Sequence, residues 1–559
     1  MSLVKNGKEL ESGADVVVRT LEERGVTHVF GVSGGKIDKV FDSLLDSTIK
    51  TVVCRHEQNA AFIAGGIGRM TGKAGVALVT SGPGCSNLVT GLATANSEGD
   101  PVVALGGAVP VPDKLKQLHQ TMDAVSLFKP VTKFSAEVSA PESVSEVVTN
   151  AFRAAESGRP GAAFVSLPKD IMTGPSQCEV IRGPKYSAAG PADCCAIKEA
   201  ARLVNQANKP VVLLGLLASR PENATAIREF VESAKLPVVG TFQAAGAVSR
   251  NLFENFAGRV GLVANQPADE LLRTADLLIS IGYDPVEYEP EVWNKAQKRP
   301  IVHIDVLPAD LDNSYAPTVE LVGNIASTLT SLTPLVSRST LDPEVRWLLA
   351  KIAEDREYLG LSSAKLNGTP IHPLRLVAEL QKLLSPDVTL CSDMGSFHIW
   401  MARHLYSFRA RQILISDGQQ TLGVALPWAI AATIVRPAEK VLSISGDGGF
   451  LFSAMELETA VRLQSHLVHM IWIDGSYDMV GVQEVRKYGR TSGVQFGPVD
   501  PVKYAEAFGA NGFMIQSPDQ ISPVLKKAFD TPGPVLVGVH VDYRDNHKLF
   551  EQVTEDSIN

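Results

Sequence analysis

An α/β protein of three consecutive doubly wound parallel-sheet domains is predicted by three features of the sequence. Its 559 residues exceed what one hydrophobic core organises, since domains run to about 100–200 residues. Apolar runs of strand length alternate with amphipathic stretches throughout, which is the pattern of parallel sheets covered by helices. The residues that suggest chemistry stand just after those runs, where open parallel sheets place their ligands.

In the first region, strands are expected near 26–30, 52–54, 76–79 and 102–105, with helices over 14–23 and 59–70. The Gly-, Pro- and Ser-containing passage 171–193 reads as a linker. The second region repeats the plan with strands at 211–214, 237–239, 277–281 and 301–304, and a charged helical segment, 342–366, follows. Third-region strands are expected at 388–391, 441–445, 468–473 and 535–541. The apolar stretch 422–435 carries Gly423 and Pro427 and is shorter than the ~20 residues of a membrane span, so it reads as a buried helix. These boundaries give domains over 1–175, 190–340 and 365–545, with a tail at 546–559. The first and third domains have the look of structural cousins.

Composition excludes several classes. The 52 basic and 61 acidic residues leave a net charge of −9 with no long run of one sign, so no nucleic-acid footprint is expected. The six cysteines, Cys54, Cys85, Cys178, Cys194, Cys195 and Cys391, have neither CxxC nor metal-ligand spacing and read as the reduced thiols of a cytoplasmic protein. The N-terminus lacks the apolar core of a signal peptide. No membrane partner is expected.

The sharpest local signal is the strand running into Gly446-Asp447-Gly448-Gly449. Glycines admit a phosphate close to the backbone, and amides at a helix start favour an anion. A carboxylate at such a place needs a cation between itself and the phosphate. Asp447 therefore suggests a divalent metal, and oxygen-rich surroundings suit magnesium. Taken alone, the motif is equally well a strand-ending turn. A second acid at the end of the next predicted strand, Asp474, tips the reading toward metal, with the Ser476 carbonyl as a third oxygen and Tyr477 beside it. A helix is expected beyond the turn, with Phe450, Ala454, Leu457 and Val461 on one face. In the first region, Glu57 ends a strand and opens a helix, where an acid is ordinarily dipole placement.

A GDG followed after nearly thirty residues by Asn or Asp resembles the thiamine-diphosphate signature, and the chain is identified as similar to the catabolic, FAD-independent acetolactate synthases of that enzyme family. The likeness runs from about residue 12 to about 545. It rests on the segments 30–38, 80–87, 95–101 and 449–460 as well as on the signature. It implies the thiamine-diphosphate enzyme fold, thiamine diphosphate and magnesium as cofactors, and a homo-oligomer, dimer or tetramer, with active sites between first and third domains of two chains. It implies that Glu57 bonds a ring nitrogen of the aminopyrimidine, a task that suits an acid whose pKa burial has raised. Gly395, Ser396 and Phe397 would meet the diphosphate, the Gln420 carbonyl the amino group, and Leu422 the underside of the bent cofactor, where many relatives have Met.

Pyruvate is the implied substrate. One molecule loses carbon dioxide and its two-carbon unit passes to a second, giving 2-acetolactate. Gln120 matches a glutamine facing the thiazolium ring. Lys36 is a candidate partner for a substrate carboxylate and Gln483 a candidate substrate contact, each weighed against an ordinary solvated face. Pyruvate decarboxylases have a His-His pair where this chain has His119 alone, which argues against simple decarboxylation. The segment 281–288 lacks the arginines of the FAD-carrying relatives, so neither FAD nor a regulatory subunit is expected. The alternative within the family is a carboligase or decarboxylase with a different acceptor, a choice on which Ser33 and Gly35 bear because they depart from the Pro and Ala of the branch. Outside it, a nicotinamide or flavin oxidoreductase would need G-x-G-x-x-G after the first strand of the second domain, where the chain reads Leu214-Gly215-Leu216-Leu217-Ala218-Ser219. A silent relative that binds the cofactor as a structural or regulatory subunit is opposed by the retention of Glu57, Asp447 and Asp474.

Overall fold

Three six-stranded sheets carry the structure, and every neighbouring pair in them is parallel. The structure is a computed structural model that describes residues 4–5, 8–9, 11–184, 189–295, 298–338 and 340–551. Residues 185–188 of the expected linker and 552–559 of the expected tail lie outside the described residues.

In the first sheet the strands are β1 (His28–Val32), β2 (Lys50–Val53), β3 (Gly75–Val79), β4 (Val102–Ala108), β5 (Phe134–Glu137) and β6 (Ala162–Pro168), in the order β2-β1-β3-β4-β6-β5. The second comprises β7 (Pro210–Leu214), β8 (Val238–Thr241), β9 (Phe256–Val260), β10 (Leu277–Ile281), β11 (Ile301–Asp305) and β12 (Val319–Val322), ordered β9-β8-β7-β10-β11-β12. In the third, β13 (Val388–Ser392), β14 (Ile413–Ile415), β15 (Lys440–Gly446), β16 (Leu467–Ile473), β17 (Asn511–Ile515) and β18 (Val535–His540) lie in the order β14-β13-β15-β16-β18-β17. The first and third sheets thus share one topology, as structural cousins should. The second has the order of a dinucleotide-binding sheet without its glycine turn.

Central strands such as β3, β10 and β13 are buried along their whole length, which is why they read as unbroken apolar runs. Two strands per sheet escape the sequence pattern. Of these, β5 and β12 are half-buried and β14 has three residues, so their alternation is too weak or too brief to register. β6 is fully buried but opens on two alanines, which favour no strand. The expected linker is also partly structured. Lys169–Thr173 is helical, and Pro175–Ser176 pairs antiparallel with Glu11–Ser12. The expected helix through Phe450 and Val461 is broken into Asp447–Phe450, a 3-10 turn and Leu457–Arg462. Ser453 leaves helical geometry, and its hydroxyl donates to Asn59 Oδ1 at 2.7 Å. Among the described residues no helix is long and apolar enough to cross a membrane.

The chain gathers into two compact units. One comprises Met1–Ser187 with Leu426–Pro437 and Ser453–Ser465; the other holds Ala188–Ala425, Ala438–Phe452 and His466–Asn559. Within the first, Arg69 is anchored by two acids. Its Nε meets Asp100 at 2.9 Å and its terminal nitrogen meets Glu98 at 2.7 Å, with all three side chains almost fully buried. The guanidinium lies 4.4 Å from the ring centre of Trp428. Arg69→Met should therefore destabilise this unit by about 3–5 kcal/mol, because two buried carboxylates lose their guanidinium. Urea unfolding checks this, and a loss below about 1 kcal/mol would mean that the acids are solvated.

Candidate active site

In the third sheet, strand order reverses between β13 and β15, which is where open α/β sheets bind ligands. β13 ends at Ser392-Asp393-Met394-Gly395, and the nine-residue helix Ser396–His404 follows without a side-chain cap. Its first amides are therefore available to an anion. Gly395 has φ 153°, and a Cβ there would lie 2.7 Å from the Phe397 ring. β15 ends at Gly446-Asp447. A Cβ on Gly448 would meet the Tyr477 ring at 2.7 Å, and one on Gly449 would come within 3.1 Å of Asp393 and 3.7 Å of Leu422. The glycines are thus required by close approach, and these contacts bring Gly448, Gly449, Leu422 and Tyr477 into one place.

The two predicted metal acids meet across adjacent strands β15 and β16. Asp447 Oδ2 accepts from the Gly475 amide at 2.9 Å, and Asp474 accepts from the Ser476 hydroxyl at 2.6 Å. Burial pushes Asp474 up to about 7 against the Ser476 bond, and the charges of Asp447 and Asp478 add to the rise. Burial raises Asp447 and Asp478 as well. Asp478 accepts from the Ser396 hydroxyl at 2.5 Å and from the Asn546 amide. Among the described residues none of the three carboxylates forms an ion pair. Oxygen-only donors with uncompensated negative charge fit a hard divalent cation. A cluster of Asp193, Cys194 and Cys195 is exposed and reflects only Asp193 capping the helix Cys194–Gln206.

Asp393 was given no role by its sequence, yet it organises this end of the sheet. It is buried, and its two oxygens accept from the Gly423 amide at 2.9 Å each, with Met394 donating as well. This ties down the loop of Gln420 and Leu422. Gln420 holds φ 48°, a strained backbone of the kind that collects at functional sites. Burial pushes Asp393 up to about 7 from 3.8, against three backbone donors. A carboxyl raised in the folded state contributes stability below its unfolded value that is lost as pH rises to the folded one. The stability of the parent minus that of Asp393→Asn should therefore fall between those pH values, by up to about 1.4 kcal/mol per unit. Urea unfolding across that window checks the slope, and a flat difference would mean that Asp393 titrates as an ordinary carboxylate.

The first sheet gathers a second set, also at strand ends near its reversal between β1 and β3. Glu57 opens the helix Glu57–Thr71, is half-buried, and accepts from the Asn87 side chain at 2.9 Å. The loop after β3 is the hub. A Cβ on Gly84 would lie 3.6 Å from Glu57, one on Gly34 2.7 Å from Thr80, and one on Gly82 3.0 Å from Gln120. The Ser81 hydroxyl donates to Gln120 at 3.2 Å, and Gln120 holds φ 62°. Glu57, Gln120 and the turn of Lys36 thus converge around one loop. Among the described residues the half-buried Lys36 ammonium has no ion-pair partner. Glu456, which the sequence also left without a role, fixes the start of the Glu57 helix. It accepts from the Arg55 amide at 3.1 Å and from the Asn59 side chain at 2.8 Å.

Two predicted residues sit apart from these sets in part or whole. Gln483 is exposed on the helix Asp478–Tyr488. The Phe397 ring is buried in the core, 5.8 Å from the Trp472 ring centre, so only its backbone amide is available to a ligand. Asn87, Asp393 and Glu456 carry no local signal beyond their residue type, because their roles arise from partners 30 or more positions away.

Parallel-sheet domains that carry a glycine cradle, an acid pair and a helix-opening glutamate fit a thiamine-diphosphate enzyme, and the comparisons with known families show that class. Three family descriptions agree: thiamine pyrophosphate enzyme, N-terminal TPP binding domain, over residues 11–127; central domain over 197–332; and C-terminal TPP binding domain over 393–539. The chain is 55% identical over 556 residues to the catabolic acetolactate synthase of Raoultella terrigena, covering 99% of both chains. It is 49% identical over 552 residues to the acetolactate synthase of Bacillus subtilis, covering 98% of this chain and 95% of the relative. A probable acetolactate synthase large subunit of Methanocaldococcus jannaschii is 33% identical over 550 residues. The chain belongs to the acetolactate synthases.

Proposed function

We propose that this chain joins two pyruvates into 2-acetolactate and carbon dioxide on thiamine diphosphate with magnesium, and without flavin. The observation that carries the reading is likeness to a catabolic acetolactate synthase at 55% identity along 99% of both chains. Relatives named large subunits stand further off, at 33% and below, which supports an enzyme that works without a regulatory partner. The assembly is a homo-oligomer, dimer or tetramer, with active sites between subunits, in the cytoplasm.

Asp447, Asp474 and the Ser476 carbonyl would hold magnesium, whose charge would neutralise a pair of carboxylates that otherwise repel each other. Gly446, Gly448, Gly449, Tyr477 and the amides of Gly395, Ser396 and Phe397 receive the diphosphate. The Gln420 carbonyl would accept from the aminopyrimidine, and the Leu422 side chain would pack against the cofactor. When bound, thiamine diphosphate supplies a nucleophilic carbon that stores the electron pair released by decarboxylation. Glu57 holds a proton against a pyrimidine nitrogen, and Asn87 keeps its carboxyl aimed. Gln120 would stand beside the thiazolium ring and Lys36 would pair with a substrate carboxylate, while Gln483, exposed on its helix, is the candidate for a further substrate contact.

Purified protein given pyruvate, thiamine diphosphate and magnesium, without FAD, is expected to yield equal amounts of 2-acetolactate and carbon dioxide by mass spectrometry. Acetaldehyde in place of acetolactate would move the chain to the decarboxylases. No product from pyruvate would assign Ser33 and Gly35 to a different keto acid.

A further inference from the structure

In the unit that carries the second and third sheets, a cavity of about 620 Å³ opens beside β9, an edge strand of the second sheet. Four arginines line it: Arg250, Arg259, Arg356 and Arg403. Three of them rest on one aromatic cluster. The Arg356 guanidinium lies 4.2 Å from the Phe253 ring centre and 4.8 Å from that of Tyr406; Arg259 shares the Tyr406 ring at 5.8 Å, and Arg250 lies 4.5 Å over Phe408. The rings of Tyr406 and Phe408 stand 5.1 and 5.2 Å from Phe253. Several positive charges are therefore held close together by construction.

Among the described residues, none of the four makes an ion pair. Arg259 donates to the carbonyls of Ala402 at 2.6 Å and Met401 at 3.4 Å, and to that of Leu405. Arg356 donates to the Phe256 carbonyl at 2.9 Å, and Arg403 to Asn265 Oδ1 at 2.7 Å and the Leu549 carbonyl at 3.1 Å. The Nε atoms of Arg356 and Arg403 are buried without any hydrogen-bond partner. Asp355 is the one acid on the wall and is exposed, while Lys382 on the rim is already paired with Glu379. Burial holds Arg259 down at about 10, and the charge of Arg356 pushes the same way. Arg259 and Arg356 thus oppose each other's charge, while the carboxylate of Asp269 supports that of Arg403, and an anion between the first two would relieve their repulsion.

We propose that this cavity binds a phosphate-bearing small molecule. Phosphate offers more acceptor oxygens than a carboxylate and close to two negative charges, which suits several planar guanidinium forks at once. The volume falls within the range of small-molecule sites and exceeds a bare phosphate. Part of the wall is apolar, from Ile352, Leu359 and Val377, so an organic body attached to the phosphate finds a surface to cover.

The test uses the enzyme loaded with thiamine diphosphate and magnesium, so that its diphosphate subsite is filled. Inorganic phosphate and ribose 5-phosphate are titrated by calorimetry and thermal melting, with chloride keeping the ionic strength constant. A saturable rise in melting temperature is expected with at least one of them, with binding weakened at least tenfold in Arg356→Gln and at least fivefold in Arg250→Gln. Tighter binding of ribose 5-phosphate identifies an organic phosphate as the ligand, and equal binding identifies phosphate itself. Arg250 is exposed, so its variant keeps the test valid if Arg356→Gln folds poorly. Absence of saturable binding, or undiminished binding in folded variants, overturns the site.

Discussion

Exchanging Glu57 for Gln is expected to lower acetolactate formation at least a hundredfold while thiamine diphosphate affinity stays within about threefold of the parent. Gln matches Glu in shape and retains an oxygen for the Asn87 side chain, which donates at 2.9 Å in the parent. The helix start is fixed independently by Glu456, through the Arg55 amide and Asn59, so the substituted side chain should remain in position. An amide cannot carry and release the proton that a carboxyl exchanges with the pyrimidine nitrogen. The loss should therefore fall on turnover, with KM for pyruvate little changed. Cofactor affinity by calorimetry and steady-state rates separate the two, and near-normal turnover would remove Glu57 from the chemistry.

The second large effect is expected at Asp447. Asp447→Ala should weaken magnesium-dependent binding of thiamine diphosphate at least a hundredfold, because one of two carboxylates at the proposed cation site is gone. Calorimetry with and without magnesium reads the effect. In the parent, Asp447 also accepts from the Gly475 amide at 2.9 Å. Asp447→Asn keeps an oxygen for that donor and should lose less affinity than Ala. Melting of the metal-free protein provides the control. Removing one charge relieves the repulsion that helps hold Asp474 near 7, so Asp447→Asn should melt no lower than the parent without magnesium. Unchanged cofactor affinity in both variants would place the cation elsewhere.

Much of the candidate site was legible in the sequence because its pieces are local. Gly446-Asp447-Gly448-Gly449 follows a buried strand, Asp474 follows the next, and Glu57 stands between a strand and a helix. Each arrangement is contained in about ten consecutive residues. Central strands such as β3, β10 and β13 were legible for the same reason, since burial on both faces leaves an unbroken apolar run, whereas β6 and β9 are buried but carry Ala, Gly and Arg that interrupt it. Edge strands such as β5 and β12 were not legible, because half-buried positions follow no single rule.

The sequence by itself determined the α/β class, four strands in each of three parallel sheets, and the acids and glycines at their carboxyl ends. These follow from periodicity and from residue types next to one another. Only the tertiary structure decided that Glu57, Gln120 and the turn of Lys36 meet around the loop after β3, and that Asp393 pins the Gln420 loop. It alone showed that Ser453 breaks a helix to reach Asn59, and that four arginines line one cavity. Such features depend on partners tens to hundreds of positions apart, whose meeting is set by strand order and packing. No pattern within a short stretch of chain encodes them.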